Sequence, residues 1–105
     1  MSPVRRGDVW WAEEPSVGRR PFLVLSRDEV IPILRTVLAV PATRTIRGIP
    51  SELRLGPDDG MPDECALSFD NAIVVDQSLL VERICGLRAD KLAMACRAWH
   101  AAVAC

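Results

Sequence analysis

Proline and glycine punctuate this chain from near its start to its last quarter. The 105 residues include eight prolines and six glycines, and between Gly7 and Gly86 one or the other recurs about every ten residues. Proline removes a backbone donor and glycine weakens regular structure, so this spacing favours short strands over long helices. We therefore expect a small, mainly β protein that folds as one domain over residues 1–105.

The segments between these breaks predict a series of short strands. The run 21–26 is almost entirely apolar, as in a strand buried on both faces, whereas residues 51–55 alternate between apolar and charged side chains. Residues 28–33 predict a short helical turn capped by Asp28, and residues 56–64 predict an exposed acidic loop. The predicted strands cover residues 8–13, 21–26, 35–42, 51–55, 65–69, 71–75 and 80–87.

The tail of the chain follows a different pattern. Residues 89–103 are mostly strong helix formers and contain neither glycine nor proline, and Asp90 falls in the first turn, where the helix dipole favours a negative charge. Four apolar side chains three or four residues apart predict one buried stripe: Leu92, Cys96, Trp99 and Val103. We expect a helix that packs on the sheet or on a partner subunit.

Composition excludes several classes of protein. Half the residues are hydrophobic and 26% are charged, which is typical of a folded globular chain. No apolar run reaches the roughly 20 residues that cross a bilayer. No signal-peptide apolar region follows Arg5 and Arg6. We therefore expect a cytoplasmic protein with no membrane association.

Cysteine and histidine usage bears on metals and redox chemistry. The four cysteines are too widely spaced for a zinc-binding or redox pair, and His100 is the one histidine. We expect reduced thiols at Cys65, Cys85, Cys96 and Cys105, with no metal site and no cofactor. A single histidine also argues against a Ser-His-Asp triad.

Charge is distributed unevenly along the chain. The net charge is −1, but residues 1–54 carry nine arginines against six acidic side chains, a net of +3, and residues 55–105 carry a net of −4. Twelve of the thirteen basic residues are arginine, whose planar guanidinium binds phosphate through two hydrogen bonds. A genome-wide preference for arginine explains the same excess, and the sequence leaves both explanations open.

Two segments combine groups that suit a phosphodiester. Arg19-Arg20 precedes Pro21, which disfavours a helical conformation at Arg20 and holds its guanidinium at the mouth of a buried strand. The run 43–47, Thr-Arg-Thr-Ile-Arg, supplies two hydroxyls and two guanidiniums directly after another strand. The alternatives stay open: arginines paired with Glu13 or Glu14 at a solvated strand end, and an exposed polar turn.

A third segment, Ser68-Phe69-Asp70-Asn71, places an aromatic ring beside an amide, a hydroxyl and a carboxylate. Such a set can stack on a nucleobase and hydrogen-bond its edge. It fits equally well as the turn between two strands.

Four motifs in order along the chain resemble the MazF/PemK family of toxin endoribonucleases: Arg6–Trp10 (R-G-D-V-W), Gly18–Ser26 (G-R-R-P-F-L-V-L-S), Val40–Thr45 (V-P-A-T-R-T) and Ile84–Leu87 (I-C-G-L). The resemblance implies an SH3-like small β-barrel of the CcdB/MazF type with a C-terminal α-helix. It also implies a homodimer that cuts single-stranded RNA at short sequences, and a cognate antitoxin that neutralises it.

The resemblance also implies residue roles. Arg20 and Thr43 match the family's catalytic pair, for a metal-independent attack of a ribose 2′-hydroxyl on the adjacent phosphorus that leaves a 2′,3′-cyclic phosphate and a 5′-hydroxyl. Nine further residues are expected to contact RNA: Arg19, Ser26, Arg44, Thr45, Arg47, Ser68, Phe69, Asp70 and Asn71.

The sequence departs from the family pattern in two places. Residues 27–29, Arg-Asp-Glu, stand where an asparagine is common, and Arg88 stands where the terminal helix usually opens with a small capping residue. Two other functions on the same barrel remain open, a CcdB-like gyrase inhibitor and a non-catalytic RNA-binding module. The Arg20–Thr43 pair favours the nuclease over the gyrase inhibitor, and Trp99 lies too far from the C-terminus to match the gyrase-directed tryptophan.

Overall fold

A computed structural model describes residues 3–104 and contains seven strands and one α-helix. Short 3-10 turns cover Pro57–Asp59, Phe69–Asn71 and Gln77–Leu79. The main elements are β1 (Asp8–Glu14), β2 (Gly18–Val24), β3 (Thr36–Thr43), β4 (Glu52–Leu55), β5 (Cys65–Ser68), β6 (Ile73–Asp76), β7 (Leu80–Gly86) and α1 (Ala89–Val103). The expected mainly β architecture with a C-terminal helix is confirmed.

The strands form one antiparallel sheet in the order β4-β5-β3-β2-β1-β7, with β6 beside the first half of β3. β3 organises this arrangement because it pairs with β6 over Thr36–Ala39, with β2 over Ala39–Pro41, and with β5 at Ala42 and Thr43. β4 and β7 stand at the two ends of the path and do not pair with each other. The path of hydrogen-bonded strands is therefore not closed into a barrel.

Apolar side chains cover both faces of the central strands. On β2, Leu23 packs in the cluster that lies against α1, whereas Phe22 and Val24 pack in the opposite cluster with Trp10 and Val37. Successive strand residues point to opposite faces, and all three of these β2 side chains are fully buried. The prediction that this strand is buried on both faces is confirmed.

The R-G-D-V-W opening is a structural motif. The buried carboxylate of Asp8 accepts hydrogen bonds from the Arg5 backbone N–H (3.1 Å), the Trp10 indole (3.3 Å) and the Arg83 Nε (3.2 Å). Gly7 adopts φ +89°, which glycine tolerates at little cost, and its carbonyl accepts from the Leu87 N–H. The motif thus joins the start of β1 to β7 and to the entry of the helix.

Helix α1 has the predicted bounds but buries a different face. Ala95 and Ala98 are its buried residues, whereas Cys96 and Val103 are exposed. Leu92, Trp99 and Ala102 pack partly buried against the core below the helix. The predicted stripe was therefore correct at Leu92 and Trp99 and wrong at the other two positions, because small alanine side chains let the helix approach the sheet closely.

Other predictions need correction in detail. Residues 28–33 form hydrogen-bonded turns, but the Asp28 carboxylate accepts from the Arg6 N–H (2.7 Å) instead of capping its own turn. β2 begins at Gly18 rather than residue 21 because Gly18 pairs with Glu14 across a tight hairpin. Within the predicted exposed loop 56–64, Met61 is buried.

The part of the chain between residues 3 and 104 holds no helix long and apolar enough to cross a membrane. Cys65, Cys85 and Cys96 carry free thiols there, as expected, and Cys105 lies outside the described residues.

Candidate active site

β2 and β3 bring Arg20 and Thr43 to the same end of the sheet. The last paired position at this end joins Phe22 to Pro41. Two residues beyond it, β2 reaches back to Arg20 and β3 ends at Thr43. Both side chains line the same two neighbouring cavities. Strand pairing therefore places the two residues of the expected catalytic pair at one surface.

The Arg20 guanidinium is uncommitted. The residue is half-buried and its backbone pairs with Ala12 of β1. Within residues 3–104 its side chain has no hydrogen-bond or ion-pair partner. A guanidinium carries five N–H donors and stays protonated, so this one can bind an anionic oxygen in the cavity without first losing another contact.

The Thr43 hydroxyl is oriented by a local turn. Its Oγ1 accepts a hydrogen bond from the Thr45 N–H at 3.1 Å, a common arrangement where a strand turns away. Because the oxygen is the acceptor in this bond, its own proton remains available to donate. Thr45 thus has a backbone role in holding the hydroxyl as well as a side chain at the cavity.

The first cavity has a volume of about 370 Å³, within the range of small-ligand sites. Its lining combines apolar and sulfur-containing side chains with three charged groups in addition to Arg20 and Thr43. Besides Arg20 and Thr43, it is lined by Trp11, Arg19, Pro21, Ala42, Arg44, Thr45, Met61, Pro62, Asp63 and Cys65.

The second cavity has a volume of about 440 Å³, and one of its walls carries hydroxyl, amide and carboxylate side chains. That wall comes from the turn between β5 and β6, which the sequence singled out. Besides Arg20 and Thr43, the cavity is lined by Val17, Pro41, Arg47, Ser68, Asp70, Asn71, Ala72 and Ile73.

Arg19 lies over an aromatic ring at the edge of the first cavity. Its guanidinium carbon is 5.0 Å from the centroid of Trp11, and its Nη2 is 3.8 Å from an oxygen of Glu82. The pairing with Glu13 or Glu14 that the sequence left open does not form: Arg19 pairs with Glu82, and the Glu14 carboxylate accepts from the N–H and hydroxyl of Ser16. Hydrogen bonds from Ser16 lower the pKa of Glu14.

The other two arginines of the site each have an acidic partner. Arg44 pairs with Asp63 at 3.1 Å, joining the end of β3 to the loop before β5. Arg47 lies 3.9 Å from Glu52, whose side chain is only 3% exposed. The second oxygen of Glu52 accepts from the backbone N–H groups of Arg47 (2.9 Å) and Gly48 (3.0 Å). Glu52 therefore anchors the loop that carries Arg47.

Three of the four residues in the turn 68–71 line the second cavity: Ser68, Asp70 and Asn71. Asn71 donates to the Ser68 hydroxyl at 2.8 Å, and Asp70 accepts from Ser51. Phe69 is the exception, because its ring is 1% exposed and packs in the core beneath α1. This corrects the expectation that Phe69 stacks on a base.

Ser26 also has a different position from the one expected. Its hydroxyl accepts from the Leu38 N–H at 2.8 Å and thereby joins the end of β2 to β3. Ser26 lines neither of the two cavities. Ser26 therefore stabilises the pairing of β2 with β3, the two strands that carry Arg20 and Thr43.

Comparison with known proteins bears on the identity of this fold and site. A model of the family described as PemK-like, MazF-like toxin of type II toxin-antitoxin system matches residues 5–102. The chain belongs to this family. The resemblance drawn from the four sequence motifs is thereby confirmed.

Relatives of this MazF-like toxin carry matching names. It is 44% identical over 101 residues to the probable endoribonuclease MazF5 of Mycobacterium tuberculosis, covering 95% of this chain and 93% of that protein. It is 38% identical over 103 residues to the probable endoribonuclease MazF2 of the same species, covering 97% of this chain and 100% of that protein.

A solved structure supports the fold. A mycobacterial endoribonuclease in complex with its cognate antitoxin superimposes with a TM-score of 0.86 at 23% identity, covering 98% of this chain and 96% of that chain. The CcdB-like alternative has no such support from the family match, and Trp99 is packed against the core of this MazF-like toxin.

The sequence did not single out several side chains that line the first cavity: Trp11, Met61, Pro62, Asp63 and Cys65. The position of Trp11 could have been predicted, because neighbouring strand residues face opposite sides of a sheet and Trp10 packs in the apolar core. Burial raises the pKa of the Cys65 thiol to about 11, so this side chain adds no charge to the cavity at physiological pH. Over the described residues, no three His, Cys, Asp or Glu side chains come together as metal ligands do.

Proposed function

We propose that this MazF-like toxin is an endoribonuclease that cuts single-stranded RNA at short sequences without a metal ion, at Arg20 and Thr43. One observation carries the proposal: an unpaired guanidinium and a hydroxyl free to donate, from two neighbouring strands, line the same two cavities. The names of its relatives support the reaction class.

The reaction is an internal transfer at phosphorus. The 2′ oxygen of one ribose bonds to the phosphorus on its own 3′ side, and the bond from phosphorus to the next nucleotide's 5′ oxygen breaks. The 2′-hydroxyl loses its proton and the departing 5′ oxygen gains one. The products are a 2′,3′-cyclic phosphate and a 5′-hydroxyl.

Arg20 and Thr43 act on the charge that builds up during this transfer. The nonbridging oxygens carry more negative charge in the phosphorane than in the bound diester, so donors aimed at them stabilise the transition state more than the ground state. A guanidinium stays protonated at all working pH values, which suits Arg20 to stabilise charge rather than to remove the 2′ proton.

The partners follow from family membership. A type II toxin is paired with a protein antitoxin, so we propose a cognate antitoxin that neutralises this single-domain chain, spanning residues 1–105, in the cytoplasm. We also propose a homodimer, with RNA cleavage that inhibits translation and growth.

The test is to incubate purified protein with total RNA and to sequence the newly formed 5′-hydroxyl ends. We expect ends that share a short motif and that increase with time. Expression without the antitoxin should also arrest growth. RNA that stays intact while being retained by the protein would instead support the non-catalytic RNA-binding module and overturn the nuclease.

A further inference from the structure

The first cavity is lined by several side chains that the cleavage step does not use. Arg20 and Thr43 line both this cavity and the second one. A phosphate held by these two residues therefore borders two spaces. Since each nucleotide places its base beside its phosphate, the two spaces are positioned for the two nucleotides that flank the cleaved bond.

The walls of the first cavity suit a flat, mostly apolar ring. Met61, which is 4% exposed, and Cys65 supply buried sulfur-containing side chains, and Pro62 adds an apolar rim. Trp11 is half-buried, and the planar guanidinium of Arg19 lies over its ring. Aromatic rings and guanidinium planes are the groups on which unstacked bases stack in protein–RNA complexes.

A carboxylate stands in this cavity, where a bound polyanion would be expected to repel it. Asp63 is held by Arg44 at 3.1 Å in an ion pair whose two side chains are 61% and 84% exposed. Exposed ion pairs of this kind contribute at most about 1 kcal/mol, so both groups can exchange their contact for a ligand at little cost. A carboxylate can accept hydrogen bonds from the N–H groups of a base edge. A guanidinium can donate hydrogen bonds to the carbonyl oxygens and ring nitrogens of a base.

We infer that the first cavity is a nucleobase subsite for one of the two nucleotides flanking the cleaved bond, and that Asp63 and Arg44 are its specificity-determining residues. This inference rests on the proposed nuclease function. The carboxylate accepts from the base edge, the guanidinium donates to it, and the ring lies between the Trp11–Arg19 stack and the Met61–Cys65 wall.

The test compares the cut motif of Asp63→Asn with that of the wild type on a randomised RNA library, read from the 5′-hydroxyl ends. Asparagine keeps the shape of the side chain but exchanges one acceptor for a donor. We expect the preference at one position directly next to the cut to change about tenfold, with the rest of the motif retained. The matched control is Asp58→Asn, in the same loop but lining a different cavity, which should leave the motif unchanged.

Arg44→Gln provides a second variant with the same readout. It should alter preference at the same position as Asp63→Asn, because both side chains contact one base. A motif unchanged in both variants, or changed at two different positions, would overturn the inference while leaving the nuclease intact. Failure of the wild type to cut RNA at all would instead overturn the proposed function. Both altered side chains are largely exposed, so the folded state should survive either change.

Discussion

Arg20 and Thr43 lie on adjacent antiparallel strands, each two residues beyond the Phe22–Pro41 pair, and both line the two cavities at that end of the sheet. Their relative position is fixed by β-sheet pairing rather than by a loop. Groups placed on strands hold their geometry without further ordering, which is the condition for electrostatic stabilisation of a transition state.

Removing the Arg20 guanidinium should abolish most cleavage without unfolding the protein. We expect Arg20→Ala to lower kcat/KM by about 10²- to 10³-fold, as loss of one charge-stabilising donor does elsewhere. The measurement is the initial rate on a defined RNA, together with thermal unfolding and size-exclusion chromatography. Arg27→Ala, at an exposed arginine beyond the end of β2, is the matched control. Wild-type activity in Arg20→Ala would refute the assignment.

Substitutions at Thr43 can test the hydroxyl group separately from the shape of the side chain. Thr43→Val keeps the branched side chain but removes both the donor and the acceptor for the Thr45 N–H, so we expect cleavage to fall by about 10²-fold. Thr43→Ser keeps both functions and should retain most of the rate. Equal rates for the valine and serine variants would show that the hydroxyl is not involved.

Glu52 should prove necessary for the stability of the loop that carries Arg47. Hydrogen bonds to a charged acceptor contribute about 1.5–3 kcal/mol, so Glu52→Ala should lower the free energy of unfolding by an amount in that range. Urea unfolding followed by tryptophan fluorescence measures it. Glu29→Ala removes an exposed carboxylate and should change stability little. An unfolding midpoint for Glu52→Ala equal to that of the wild type would contradict this interpretation of the loop.

The three described cysteines should react with iodoacetamide at very different rates. The thiolate is the reactive form, and burial raises the pKa of Cys65 to about 11 and also raises that of Cys85. At pH 8 both thiols are therefore less ionised than an ordinary cysteine, and both are buried, whereas Cys96 is exposed. We expect Cys96 to be alkylated first and the other two only at higher pH or after unfolding, as measured by peptide mass spectrometry.

Fully unfolded protein is the control for the alkylation experiment, because there all of these thiols should react at similar rates. Rapid native labelling of Cys65 at pH 8 would contradict the raised pKa of this thiol.

Strand positions were predictable from the sequence because proline, glycine and apolar runs act locally. Pro21 and the run after it identify β2, and the alternation of residues 51–55 identifies β4. Strand ends depend on pairing, which is not local. β2 gains its first three residues because Gly18 pairs with Glu14.

The helix face and the turn 68–71 show where local patterns fail. Hydropathy favours Cys96, but close packing on the sheet favours the smaller Ala95 and Ala98. Phe69 carries the same composition signal whether it faces RNA or the core, and only the 3-10 turn that it opens directs the ring inward.

The candidate site was predictable in part because local patterns in the sequence mark where strands begin and end. Arg20 directly precedes one predicted strand and Thr43 directly follows another, so the sequence singled out both, and the structure brings them to one end of the sheet. Asp63 and Met61 reach the first cavity only because the loop before β5 folds across that end of the sheet. No spacing within residues 56–64 encodes that approach.

The most direct measurement uses two RNA oligonucleotides that contain the cut motif and differ by one oxygen, the 2′-hydroxyl immediately 5′ of the cleaved bond. Both are incubated with purified protein in EDTA, and the products are analysed by mass spectrometry. The all-ribose strand should be cut to a 2′,3′-cyclic phosphate and a 5′-hydroxyl, and the strand lacking that hydroxyl should stay intact. Cleavage of both strands, or loss of all cleavage in EDTA, would contradict metal-independent 2′-hydroxyl attack at Arg20 and Thr43.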